Sequence, residues 1–357
     1  MSGTDTRETT ARTLGVLLPA STGRRDGVGF VGPDVPIEVL LASQRPFGHL
    51  PWQATGATAW ADRWLESSFP FWARSILEQW HAGAFDELGA IVFSRSDDAS
   101  QRLYYYVSEL QRRGLLGGPA PSIFDIAHVQ RDSSARHTAA AILELCHVLD
   151  VAPTALPAAI ERANRLRGAL ANLGDARSTN GPLYERIGRL ALWIDPTLWI
   201  HDVDHPEQKA GRLRVLLAGS VPPDDRLHRA VETTGASVIA EAHVHGLARL
   251  GQAAVQDAAP PEVQIAAQLR QVSVSPRAMI DRARWVVARA ESARADAVIV
   301  WLTREDEALA WHVPAQRRAL AAAGLPTLIL PAARWQADDD TPDRIAGFCR
   351  EAMHATA

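Results

Sequence analysis

The sequence holds a single lysine, Lys209, so its positive charge is almost wholly arginine, spread along the chain without a basic block. With a net charge of -4, that distribution lacks the basic stripe by which proteins track a phosphate backbone, and no nucleic-acid partner is expected. Cysteine is almost absent: Cys146 and Cys349 lie far apart in helical-looking stretches, which excludes a disulfide framework and a thiolate metal site built from this chain. No stretch approaches the roughly 18 apolar residues of a membrane span. Residues 1–13 are polar and lack the apolar segment of a signal peptide, so a cytoplasmic location is expected. Neither a P-loop, nor three spaced glycines of a dinucleotide fingerprint, nor a Gly-x-Ser-x-Gly elbow is present.

What is present is the composition of a folded protein, 47% apolar and 22% charged over 357 residues, enough for two domains of ordinary size. A short apolar run occupies 14–19, and the glycines of 27–32 read as a turn or loop. A helix is expected over 36–43. Trp60, Trp64, Phe71, Ile76 and Trp80 recur at helical spacing and read as core. Strand-like runs at 90–93 and 122–126 then alternate with helices at 99–113 and 134–149. Helical stretches at 156–173 and 183–194 follow, then a polar loop at 201–211. The second half repeats the alternation: strands at 214–218, 237–240, 297–302 and 327–331, helices at 224–234, 276–293, 314–323 and 341–353. Strand-helix-strand order of this kind predicts parallel sheets covered on both faces. The expected fold is α/β: two doubly wound parallel-sheet (flavodoxin/Rossmann-like) domains, 1–154 and 206–357, joined by a helical bridge over 155–205.

In such sheets ligands sit outside the carboxyl ends of the strands. The polar group Ser94, Arg95, Ser96, Asp97 and Asp98 follows one strand, where one residue would suffice as a helix cap. Gly219 and Ser220 follow another, as a weak anion-cradle signal. His243 and His245 have a spacing that chelates a metal only if a third ligand arrives, and they read more simply as loop histidines. Asp338, Asp339 and Asp340 precede a helix and suit its dipole. Asp97, Asp98 or His243 in acid–base work remains a further option.

Several segments together resemble the 2-hydroxyacyl-CoA dehydratase and benzoyl-CoA reductase subunit family. Val28-Gly29-Phe30 with Pro36-Ile37-Glu38-Val39-Leu40 is similar to its early Gly-aromatic and Pro-Glu-Glu-Leu segment, and Phe71-Trp72-Ala73-Arg74-Ser75 to its Phe-Ala-Arg-Ser segment. Asp97-Asp98 with Arg102-Leu103-Tyr104 resembles its Cys-Asp and Arg-Leu-Tyr. Ala218-Gly219-Ser220 resembles its Gly-Cys-Pro, Thr234-Gly235-Ala236 its Ser-Gly-Ala, and Gly324-Leu325-Pro326 its closing Gly-Ile-Pro strand. Three cysteines hold the family's iron–sulfur cluster, and the matching positions here are Phe69 or Pro70, Asp97, and approximately Asp306. The resemblance therefore implies a subunit without its own cofactor, inactive alone, paired with a homologous subunit that carries a 4Fe-4S cluster. It implies an acyl-CoA thioester as ligand, lyase-type chemistry in a heteromer, and an ATP-dependent activator as a possible further partner. Glu38, Arg74, Asp97, Asp98, Thr179, Asn180 and Asp306 are the expected site-lining residues. A non-catalytic acyl-CoA binding or regulatory protein on the same scaffold is the alternative.

Overall fold

The computed structural model describes residues 26–173, 181–200, 211–251, 253–254 and 258–355. The apolar run at 14–19 and the expected site residues Thr179 and Asn180 lie outside them.

Two parallel four-stranded sheets organise the chain. The first comprises β1 (Val28–Val31), β2 (Phe47–His49), β3 (Ala90–Ser94) and β4 (Pro121–Phe124) in the order β2-β1-β3-β4. The second comprises β5 (Arg214–Gly219), β6 (Ser237–Ala242), β7 (Ala297–Thr303) and β8 (Thr327–Ala333) in the order β6-β5-β7-β8. The two sheets thus share one winding, as the α/β reading expected. The seven residues of β7 are all buried, which is why that strand reads as an unbroken apolar run: helices cover both faces, so no side of the strand meets water.

Helices α1 (Ile37–Ala42), α2 (Phe71–His81), α3 (Asp98–Arg112) and α4 (Asp132–Val148) belong to the first half. Next come α5 (Leu156–Leu173) and α6 (Gly181–Trp193). The second half carries α7 (Arg226–Glu232), α8 (Pro261–Val272), α9 (Arg282–Ala293), α10 (Glu307–Ala310), α11 (Val313–Ala322) and α12 (Thr341–Ala355). Two of these cross over in packing. Ile160 and Ala163 of α5, and Ile265 and Leu269 of α8, enter the core formed by Val28, Val92, Phe124 and Ile142.

The structure corrects the sequence reading at the start of the first sheet. Residues 27–32 are not a turn: Val28–Val31 is a central strand, paired with β2 and β3 on its two sides. Gly29 is there for space. A Cβ at that position would lie 2.7 Å from Leu50 Cδ2 and 2.9 Å from Leu88 Cδ1, both on buried leucines. Gly29→Ala is therefore expected to cost about 1–3 kcal/mol of stability in urea unfolding. A loss within about 0.5 kcal/mol, the range of neutral surface changes, would show that both leucines swing aside. A second correction concerns the tryptophan-rich stretch: Pro70 caps α2, so the helix begins at Phe71, and only a 3-10 turn at Ala61–Arg63 precedes it. Third, the helix expected over 276–293 begins at Arg282, where the Asp281 carboxylate accepts from the Arg284 N–H at 3.0 Å.

Candidate functional site

In each sheet the strand order reverses next to the first strand, between β1 and β3 and between β5 and β7. At such switch points the loops leave the sheet in opposite directions and open a crevice at the carboxyl ends. The polar side chains converge there. After β3, Asp97 caps α3, its Oδ2 accepting from the Ser100 N–H at 2.7 Å and the Ser100 hydroxyl at 2.8 Å. After β5, Gly219 takes φ +111, and a Cβ there would meet the Trp301 carbonyl oxygen at 2.1 Å, so only glycine lets the chain turn out and present Ser220. After β7 comes Asp306, whose carboxylate accepts from the Ser220 hydroxyl. The Thr303 N–H donates to Ser220 Oγ at 3.0 Å and so fixes the direction of that hydroxyl proton.

Asp97 follows a strand of the first sheet and Asp306 a strand of the second, and the charge of Asp97 is felt at Asp306. Burial raises the Asp97 pKa; the Ser100 hydrogen bonds oppose the rise, Asp98 adds to it and Arg277 opposes it. Burial pushes Asp306 up to about 6, the Ser220 bond resists, the Asp97 charge adds to the rise, and Arg282 draws it back. A carboxyl poised near neutrality, beside a second one, can hold or release a proton under ordinary conditions. Asp98 stands at the rim, 3.6 Å from Arg102 and 3.4 Å from Arg277.

The other expected residues do not join this group. Glu38, fully buried in α1, meets Arg167 of α5 at 2.5 Å. Arg74 reaches Asp62 at 2.5 Å and the carbonyls of Glu66 and Phe69, clasping the loop before α2. Phe69 is itself buried beneath the Arg102 guanidinium, 4.1 Å from the ring centroid.

One group was not foreseen, and a second enlarges the His243–His245 pair already noted in the sequence. Asp34, after β1, adopts φ +65 and receives the Ser273 hydroxyl at 2.6 Å. Burial raises its pKa against the opposing influence of Ser273, Ser96, His128 and Ser275. The turn Gly32-Pro33-Asp34 was a local signal for it. The second group joins the sheets. The imidazole of His49, ending β2, lies 4.9 Å from that of His245 beyond β6, and both pack on Trp52. His49 Nε2 accepts from the Gly32 N–H at 2.9 Å, so Nδ1 carries the proton given to the Leu50 carbonyl at 2.7 Å, and burial lowers its pKa to about 3. His243 and His245 do lie in the loop after β6, but both are buried. Glu241 accepts from His228 Nε2 at 2.9 Å and stands 3.1 Å from His243 Nε2. Burial opposes its ionisation, yet these two histidines outweigh burial and hold its carboxyl below the ordinary range. The Arg189 guanidinium lies 5.1 Å from the indole centroids of both Trp52 and Trp193, which meet each other edge to face. The cavity among these side chains is about 20 Å³, room for one water. A larger depression of about 530 Å³ opens at the amino ends of β3 and β4, lined by Asp86, Gly89 and Gly118, with no converging charge.

An iron–sulfur cluster needs thiolates, and the thiols here do not fit one. Cys146 lies in the core of the first sheet and Cys349 in that of the second, and burial pushes each thiol up to about 11. Among the described residues, no group of three or more histidine, cysteine or acidic side chains is arranged to hold a metal ion, and no single helix is long and apolar enough to cross a membrane. Comparison with known families gives one match, to the profile described as 2-hydroxyglutaryl-CoA dehydratase, D-component, over residues 34–349. No curated protein matches the chain.

Proposed function

The chain belongs to the 2-hydroxyglutaryl-CoA dehydratase D-component family and is a dehydratase-type subunit, and from that premise we propose that it works without a cluster of its own. On this reading it pairs with a homologous subunit bearing a 4Fe-4S cluster, in a 2-hydroxyacyl-CoA dehydratase or benzoyl-CoA reductase type of complex, and contributes one wall of an acyl-CoA site. The observation that carries it is the chemistry at the switch points. The two places that the resemblance sets at cluster cysteines, Asp97 and approximately Asp306, hold aspartates, while both thiols sit in separate cores.

In that role the partner supplies the electron chemistry. The residues of this chain exclude water and hold protons: Asp306 Oδ2 beside the Ser220 hydroxyl, and Asp97 on the Ser100 N–H. Neither carboxylate replaces a thiolate as an iron ligand, since low-potential clusters are built on sulfur donors.

Anaerobic co-expression with the product of the adjoining reading frame tests this. The expected result is a stable heteromer in which all iron and sulfide belong to the partner, and in which 2-hydroxyacyl-CoA turnover requires both chains. Stoichiometric iron and sulfide with a cluster absorption band in this chain alone would overturn the cluster-less reading. A chain that stays monomeric beside its neighbour yet binds a CoA thioester tightly in calorimetry would instead be a binding or regulatory protein.

A further inference from the structure

We propose that residues 273–281 form a strap across the Asp97–Asp306 crevice, caught on the first sheet by Asp34, and that it lifts to admit the acyl thioester. The proposal rests on the crevice being the ligand site. The segment joins α8, which packs with the first half, to α9, which packs against β5 and β6.

The first-sheet end is gripped by side chains and loop carbonyls. Asp34 receives the Ser273 hydroxyl at 2.6 Å, and the Ser273 and Ser275 hydroxyls lie 3.0 Å apart. The Arg277 N–H reaches the Ser96 carbonyl at 3.4 Å, and its guanidinium the Arg95 carbonyl at 2.9 Å and Asp98 at 3.4 Å. Arg282, buried in the first turn of α9, reaches back to the same end and donates to the carbonyls of Val274 and Ser275, so the segment closes as a loop. Arg277 acts on the charge of Asp97, and Arg282 on that of Asp306. Arg277 in the strap and Arg282 just beyond it, in α9, thus set one cation against each carboxylate.

Its own backbone does little to keep it in place. Ser273, Val274 and Ser275 are buried, but the chain then emerges until Met279 is 68% exposed. Between Pro276 and Asp281 no helix or strand forms, and within the strap the backbone bond is Ala278 N–H to the Ser275 carbonyl at 3.0 Å. A segment held by side-chain contacts and few ladder bonds opens locally more easily than the sheets beneath it. Asp34 itself is held in the left-handed region, sparsely populated by residues other than glycine, asparagine and aspartate. Aspartate adopts that region readily, and here the turn aims the carboxylate at Ser273.

Hydrogen–deuterium exchange on the full chain, read by peptide, tests the catch in two variants. Asp34→Gly keeps the left-handed turn while removing the carboxylate, and the double variant Ser273→Ala/Ser275→Ala removes the hydroxyls. Both are expected to speed exchange across 274–281 by roughly tenfold, with β1 and β3 unchanged. Stopped-flow tryptophan fluorescence with 2-hydroxyglutaryl-CoA, on the chain with its co-purifying subunit, should show faster association in both variants by a similar factor. Unchanged exchange over 274–281 in both variants overturns the strap, as does faster exchange with unchanged association of a thioester that binds. If exchange rises but no protein binds the thioester, the crevice reading fails and the catch stands.

Discussion

Replacing Arg167 with methionine is expected to remove about 3–5 kcal/mol of stability, measured as a fall in the urea midpoint at unchanged slope. Glu38 is fully buried, its Oε1 is 2.5 Å from Arg167 Nη2, and its Oε2 has no hydrogen-bond partner among the described residues. Taking Arg167 away would strand an anion in the core where Leu40, Leu156 and Ile160 pack, and an uncompensated buried charge is far costlier than a lost surface pair. The position of Glu38 in the first turn of α1 offers some relief, because amide dipoles favour an anion there, but six residues make a short helix. The double variant Glu38→Leu/Arg167→Met should regain most of the loss, since apolar side chains of similar volume often match a buried pair. If the single variant loses less than about 1 kcal/mol, as exposed pairs do, water reaches the pair and it does not tie α1 to α5 as described.

Glu38 also shows which part of the site could be read along the chain. Its place beside a family-like segment made it a candidate for the ligand wall, yet its partner lies in a helix beyond three further strands, and no local pattern announces that pairing. The strands that could be read, such as Ala297–Thr303, are those whose burial on both faces leaves a continuous apolar run. Val28–Val31 and Phe47–His49 escaped because each is short and carries a glycine, and glycine looks the same whether it makes a turn or clears room for Leu50. Asp97 was legible from its position after a strand and before a helix. Its nearness to Asp306 had no local signal, only the family resemblance that set both at cluster-cysteine positions, because the two follow strands of different sheets. The same holds for His49 against His245 and for Asp34 against Ser273, contacts between distant parts of the chain. Of these, only the Gly32-Pro33-Asp34 turn left a local trace.

Asp306→Asn is expected to stabilise the protein at neutral pH by about 2–3 kcal/mol while leaving it nearly unchanged below pH 4. The folded-state pKa of Asp306 is about 6, above the ordinary 3.8, because burial and then the Asp97 charge disfavour its ionised form more than Ser220 and Arg282 favour it. Between those two values the folded chain binds the proton more tightly than the unfolded chain, so this group weakens the fold as pH rises from about 4 to about 6. Each unit of displacement is worth about 1.4 kcal/mol, which sets the size of the penalty, and above pH 6 the penalty stays constant. Asparagine matches the shape, can accept the Ser220 hydroxyl proton and carries no charge, so the variant escapes the penalty. Asp34 and Asp97 are raised by burial in the same direction and remain in both proteins, so the difference between the two stability curves reads Asp306 together with its coupling to Asp97. Urea unfolding from pH 4 to pH 7.5 reads it: the curves should meet at the acid end and separate through pH 6. Parallel curves would show that Asp306 is solvated and ionised like an ordinary carboxylate. An aspartate that weakens the fold where a neutral isostere would not is what a site requires when it trades stability for a proton it can move. In the heteromer proposed above, the same variant should therefore be more stable and slower at once.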